Sequence, residues 1–119
     1  MAKVFVVDDS RVSRMLSRQF ILDQRPDWTV EEAASGEEAL EKVVAVNPDL
    51  ILLDVNMPGM GGFAAIDKLK EKCPAARITL LTANVQDASR EKAIAAGVGF
   101  AEKPITEARI RQIISTLEA

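Results

Sequence analysis

Short runs dominated by apolar residues alternate along this chain with segments whose apolar residues recur at helical spacing. Four such runs and a weaker fifth are present: Val4–Val7, Leu50–Leu53, Ile78–Leu81 and Val98–Ala101, with the weaker one at Thr29–Ala34. Strands without a polar face are typical of parallel sheets covered on both sides, and strands that alternate with helices are typical of α/β proteins. The pattern therefore predicts five strand–helix pairs around one parallel sheet.

The intervening segments have apolar stripes and helix-end signals. The stripes predict which faces turn toward the sheet, and they consist of Val12, Met15, Leu16 and Phe20; Leu40, Val43 and Val44; Ile66 and Leu69; and Ile110, Ile113, Ile114 and Leu117. Ser35 followed by Glu38 is a capping-box sequence, and Gly97 is a typical helix terminator.

The second strand has acidic residues and few large apolar ones, so we expect it at an edge of the sheet. Right-handed crossovers and this edge position favour the order 2-1-3-4-5 of flavodoxin-like, doubly wound (βα)5 folds. A length of 119 residues fits one domain, residues 1–119.

Composition excludes several classes of function. The chain has no histidine, which removes His-based metal sites and catalytic triads, and its one cysteine suits a reducing cytoplasm. No apolar run approaches the roughly 18 residues expected of a membrane span. A net charge of −3 with scattered Lys and Arg gives no nucleic-acid footprint.

Polar residues follow the predicted strands at their carboxyl ends. Asp8 and Asp9 end the first strand, Asp54 the third and Thr82 the fourth, and Lys103 follows the fifth. In a parallel sheet these ends share one edge, and strands one and three would be neighbours at the switch point where open α/β sheets bind ligands. We therefore expect these residues to lie close together.

Three clustered carboxylates require a cation. Two carboxylates about 5 Å apart repel each other by roughly 3 kcal/mol at an effective dielectric constant of 20. An all-oxygen site suits a hard ion such as Mg²⁺, which commonly bridges carboxylates to a phosphate. A carboxylate beside Mg²⁺ and the Lys103 ammonium is well placed to attack phosphorus and form an aspartyl-phosphate.

Four motifs together resemble the receiver domain of two-component response regulators: DD at 8–9, D-x-N-M-P-G at 54–59, T-A at 82–83 and K-P at 103–104. The similarity runs from the first strand through the fifth helix. It implies a signalling module that is activated by phosphorylation and has no enzymatic activity beyond its own phosphorylation and dephosphorylation.

The resemblance also implies a role for each motif residue. Asp54 would be the phosphoacceptor, and Mg²⁺ would be held by Asp54, by Asp9 directly, by Asp8 through a water and by the backbone carbonyl of Asn56. Lys103 would form an ion pair with the phosphoryl oxygens, and the hydroxyl of Thr82 would hydrogen-bond to one of them after phosphorylation. The backbone N–H groups of Asn56 and Ala83 would help to hold the phosphoryl group.

The switch and the partners follow from the same resemblance. Thr82 would turn toward the phosphoryl group and Phe100 would move inward, changing the face made by helix four, strand five and helix five. A cis Lys103–Pro104 bond would aim the lysine into the site. The phosphoryl group would come from a sensor histidine kinase or a phosphotransfer protein, and the readout would be a protein target or an output domain.

Three other interpretations compete with this one. A haloacid-dehalogenase-type phosphatase would have a second acid where Asn56 stands, together with a cap insertion. A flavodoxin-like electron carrier would have a hydroxyl-rich phosphate loop and aromatic residues around a flavin, but this chain has no tyrosine. A degenerate receiver would only mediate contacts. Because the sequence ends at Ala119, we expect either a stand-alone receiver of the chemotaxis type or a receiver excised from a longer protein.

Overall fold

Five strands and five helices alternate in the computed structural model, which describes residues 2–55, 62–82 and 87–118. In chain order they are β1 Lys3–Val7, α1 Arg11–Gln24, β2 Thr29–Ala33, α2 Gly36–Val46, β3 Leu50–Asp54, α3 Gly62–Lys72, β4 Arg77–Thr82, α4 Asp87–Ala96, β5 Gly99–Glu102 and α5 Glu107–Glu118. Among the described residues, no helix has the length and the apolar content needed to cross a bilayer.

The strands form one sheet in the order β2-β1-β3-β4-β5, and every pairing is parallel. The predicted flavodoxin-like (βα)5 architecture is therefore confirmed, including the edge position of β2. Each end of these five strands lies within one residue of the predicted end. The fourth and fifth strands differ at both ends, since they span Arg77–Thr82 and Gly99–Glu102.

The apolar side chains of the sheet are divided between its two faces, because successive residues of a strand point in opposite directions. One cluster packs beneath α2 and α3 and includes Phe5, Val7, Ile51, Leu53, Ile66 and Leu69. The other packs beneath α1 and α5 and includes Val4, Val6, Leu50, Leu52, Ile21 and Ile110. Both faces of β1 and β3 are thus buried, as the uninterrupted apolar runs predict.

The predicted apolar face of α1 is only partly confirmed, because Phe20 packs against the core but the other three residues of the stripe are exposed. Met15 is 59% exposed and Val12 is more exposed still, whereas the buried positions of this helix are Ser17 and Ile21. The row that faces the sheet begins with Arg14, whose charge is met by Glu32 of β2, and continues through Ser17 to Ile21. The spacing of apolar residues in α1 therefore predicts burial for a row that is mostly exposed. In α2, Val44 is also exposed although its stripe predicts burial.

Other helix predictions are confirmed. Ile66 and Leu69 are buried, as are Ile110, Ile113 and Ile114. The Ser35 hydroxyl accepts a hydrogen bond from the Glu38 N–H at 3.1 Å, and Gly97 ends α4 with a φ of 71°. Glycine adopts this left-handed conformation without the steric cost that a Cβ would impose.

The corrected face of α1 can be tested with two alanine substitutions. Ile21→Ala should lower the free energy of unfolding by about 2–5 kcal/mol, because it removes a fully buried side chain and leaves a cavity. Met15→Ala should change it by less than about 0.5 kcal/mol, since this side chain is on the surface. Urea unfolding followed by circular dichroism measures both. Equal losses in the two variants would show that the face is assigned wrongly.

Candidate functional site

Three carboxylates lie together where β1 and β3 end. Oxygen atoms of Asp8, Asp9 and Asp54 all lie within 4.8 Å of one another. Asp8 is 1% exposed and Asp54 is 4% exposed, whereas Asp9 lies open to solvent. The parallel pairing of β1 with β3 brings the two strand ends side by side. Two buried acids and one accessible acid therefore converge on one point of the sheet edge.

Lys103 supplies positive charge to this cluster. Its Nζ donates to Asp8 Oδ2 at 2.8 Å and lies 3.5 Å from Asp54 Oδ1. Burial opposes the charged form of the amine, but the hydrogen bond to Asp8 and the charges of Asp8 and Asp54 outweigh it, so the pKa of Lys103 is raised. The lysine therefore stays protonated at neutral pH.

The backbone around Lys103 fixes the direction from which its side chain enters the acidic site. Its N–H donates to the carbonyl of Thr82 at 2.7 Å, which holds it beside the end of β4. The Lys103–Pro104 bond is cis, as the resemblance implies.

Asp8 is held by a second set of contacts. Its Oδ1 accepts from the Ser10 N–H at 2.9 Å, and its own N–H donates to the Ala33 carbonyl at 3.1 Å. Its carbonyl accepts from Arg14 Nη1 at 2.6 Å. Sequence reasoning missed Arg14. The available signal was an arginine on the predicted first helix, close behind the two acids and within reach of the acidic second strand.

Thr82 and Phe100 lie on the neighbouring strands β4 and β5. Thr82 is buried at the end of β4, and Phe100 is half-buried on β5 opposite Leu80. Because residues two apart on a strand share a face, Thr82, Leu80 and Phe100 point to the same side of the sheet. Asn56 and Ala83, the other predicted site residues, lie outside the described residues.

The side chains of this site fit a hard divalent cation. The clustered donors are carboxylate oxygens, which Mg²⁺ prefers, and Lys103 balances only part of their charge. The exposed Asp9 leaves one side of the cluster accessible to an ion and its waters.

Comparisons with known proteins identify the family to which this chain is similar. The family model described as the response regulator receiver domain matches residues 4–115. The chain is 43% identical over 82 residues to the nitrate/nitrite response regulator protein NarL of Escherichia coli strain K12, covering 68% of this chain and 38% of NarL. It is 36% identical over 118 residues to the transcriptional regulatory protein ResD of Bacillus subtilis strain 168, covering 98% of this chain and 47% of ResD.

Solved structures include one of matching length. The chemotaxis protein CheY4 of Vibrio cholerae superposes with a TM-score of 0.88 at 31% identity, covering 98% of both chains. NarL and ResD, in contrast, are more than twice as long as the segments matched to this chain. The family match covers nearly the whole sheet and its helices, so the chain belongs to the response regulator receiver domains of two-component signalling.

Proposed function

We propose that this chain is a phosphorylation-controlled switch in which Asp54 accepts a phosphoryl group in a Mg²⁺-dependent reaction. The observation that carries the proposal is the buried Asp54 carboxylate, which lies beside two further acids and 3.5 Å from the Lys103 ammonium. This arrangement offers a nucleophile together with positive charge for the oxygens of an incoming phosphoryl group.

Asp8, Asp9, Asp54 and the backbone carbonyl of Asn56 would hold the ion. When bound, Mg²⁺ would offset the acidic charge and polarise the phosphoryl oxygens. The protein's own step is attack by an Asp54 oxygen on the phosphorus of a phosphohistidine. The new O–P bond forms as the N–P bond breaks, and the imidazole leaves with that bond's electron pair. Lys103 stays protonated and attracts the transferred oxygens.

The proposed partners follow from the family. A histidine kinase or a phosphotransfer protein would supply the phosphoryl group, and a protein target or an output domain would read the phosphorylated state. We further propose that residues 1–119 act as one cytoplasmic receiver domain with no catalysis on other substrates. Backbone N–H groups of Asn56 and Ala83 would complete the phosphoryl site.

Incubation with acetyl phosphate tests the proposal. In the presence of Mg²⁺ the intact mass should increase by one labile phosphoryl group, and EDTA should prevent this. Labelling that EDTA does not diminish would contradict the metal-dependent mechanism. Sustained release of phosphate with many turnovers per minute would indicate the phosphatase class instead.

The readout of phosphorylation should depend on Thr82 and Phe100. A phosphoryl group adds about −1.5 to −2 charge and new acceptor oxygens, so the Thr82 hydroxyl should turn toward it and vacate space for Phe100. Fluoroberyllate, a phosphoryl mimic, should therefore shift the amide resonances of α4, β5 and α5 in the wild type. In Thr82→Ala and Phe100→Ala these shifts should fall to less than half, because the coupling is broken.

Thr79→Ala is the matched control for this experiment. Thr79 is also a buried threonine of β4, but it lies an odd number of residues from Thr82 and so faces the opposite side of the sheet. It should respond to fluoroberyllate like the wild type. Equal shifts in all four proteins would exclude coupling through Thr82 and Phe100.

A further inference from the structure

Arg14 of α1 joins the acidic site to the edge strand β2. Its Nη1 donates to the carbonyl oxygen of Asp8 at 2.6 Å, and its Nε donates to Glu32 Oε1 at 3.1 Å. The side chain is 16% exposed, so both contacts are partly shielded from water. The planar guanidinium makes the two bonds at once, and Glu32 therefore fixes the direction from which Arg14 approaches Asp8.

The carbonyl that Arg14 contacts belongs to the peptide unit between Asp8 and Asp9. The other polar groups of Asp8 are fixed too, since its N–H donates to Ala33 and its carboxylate accepts from Ser10 and Lys103. Arg14 thus sets the plane of the peptide from which Asp9 projects. Asp9 is the exposed acid of the cluster, and its side chain depends on this backbone for its direction.

We propose that Arg14 is a positioning residue for the cation site, holding the Asp8–Asp9 peptide so that both carboxylates face the ion. This inference rests on the proposed Mg²⁺-dependent function. Groups that orient the ligands of a metal commonly contribute 10–100-fold to its affinity without touching it. Arg14 reaches the backbone of one proposed ligand, adjoins the other and makes no use of the carboxylates themselves.

If Arg14 acted only through its charge, its removal would change the Mg²⁺ affinity in the opposite direction. A positive charge near the acids disfavours a divalent cation, so removing that charge alone should tighten Mg²⁺ binding. If Arg14 acts by orienting the peptide, its loss should instead weaken binding. The direction of the change therefore separates the two roles.

Arg18 provides a matched control. It lies one turn further along α1 and donates to Oε2 of the same Glu32 at 2.8 Å, but among the described residues it forms no hydrogen bond or ion pair with Asp8. Arg18→Gln and Arg14→Gln remove the same charge from the same ion-pair group. Only the second removes the hydrogen bond to the Asp8 carbonyl.

Isothermal titration with Mg²⁺ should be performed on the wild type, Arg14→Gln, Arg18→Gln and Arg14→Lys. We expect Arg14→Gln to weaken binding by about 10-fold or more and Arg18→Gln to change it by less than about 2-fold. Arg14→Lys keeps the charge but loses the planar fork, so it should give an intermediate loss. The carbonyl ¹³C resonance of Asp8 should move in Arg14→Gln and stay in place in Arg18→Gln.

Each other outcome overturns the inference. Unchanged or tighter binding in Arg14→Gln, or equal losses in both glutamine variants, would show that Arg14 does not position the site. If both Arg14 variants lose their thermal unfolding transition, Arg14 is required for folding and the positioning role is wrong. If the wild type binds no Mg²⁺, the proposed function itself fails. If the wild type binds Mg²⁺ and Asp9→Asn binds it more weakly, the proposed metal site stands and the variants at 14 and 18 decide this inference alone.

Discussion

Asp54→Asn should gain no labile phosphoryl group from acetyl phosphate and Mg²⁺, under conditions in which the wild type gains one. The side-chain amide keeps the size of the carboxylate but loses the nucleophilic oxygen, so the expected effect is a complete loss of labelling. We do not expect Asp8 to substitute for Asp54, because the Ser10 N–H and the Lys103 ammonium donate to its two carboxylate oxygens and lower their nucleophilicity. Intact-mass spectrometry of the quenched reaction measures the change.

Asp8→Asn and Asp9→Asn are the matched controls for this experiment. Each removes one negative charge from the same cluster and leaves Asp54 in place. Both should label more slowly than the wild type and need more Mg²⁺, but excess Mg²⁺ should still drive labelling. Labelling of Asp54→Asn at the wild-type level would move the acceptor to another residue, and complete loss in all three variants would leave it unassigned.

The fold was predictable because the strands have few polar residues. Val4–Val7 and Leu50–Leu53 are apolar at every position, and only the central strands of a parallel sheet bury both faces. The acids of Thr29–Ala33 placed that strand at an edge, where one side stays in water. The ends of α2 and α4 followed from Ser35 and Gly97, whose roles are local in sequence.

The face of α1 could not be predicted from apolar spacing. Ser17 is buried and Arg14 is mostly buried, although neither contributes to an apolar stripe. The burial of Arg14 depends on Glu32 of β2, which is distant in sequence and contacts the arginine only in the folded sheet. Met15 and Val12, in contrast, are apolar residues that lie on the surface.

The residues of the site were predictable, but their contacts with one another were not. The residues that lie together at the sheet edge follow from the strand ends, because all strands of a parallel sheet end at the same edge. The distances and hydrogen bonds between these residues depend on the folded structure. The resemblance assigns Lys103 to the phosphoryl oxygens, and without that group the amine donates to Asp8 at 2.8 Å and lies further from Asp54. Under the proposed function, Lys103 would therefore exchange partners when Asp54 is phosphorylated.

Replacing Lys103 with Met should lower the free energy of unfolding by about 2–4 kcal/mol in the absence of Mg²⁺, somewhat less than the 3–5 kcal/mol typical when a fully buried ion pair loses one partner. Asp8 and Asp54 are buried and would lose the ammonium that lies between them. Saturating Mg²⁺ should narrow the difference, because an ion takes over the charge in the variant but competes with the lysine in the wild type. Urea unfolding with and without Mg²⁺ measures both effects.

The difference in the free energy of unfolding between the wild type and Lys103→Met should depend on pH in one direction only. The folded protein holds the pKa of Lys103 above its ordinary value of 10.5, so its contribution is complete below pH 10.5 and is lost as the pH rises through the folded value. The gap between wild type and Lys103→Met should therefore be constant near neutral pH and shrink in strong alkali. Lys42→Met is the control, because it breaks an exposed pair with Glu38 and should cost only about 0.3–0.5 kcal/mol with no response to Mg²⁺. If Lys103→Met behaves like Lys42→Met, the lysine does not stabilise the acidic cluster.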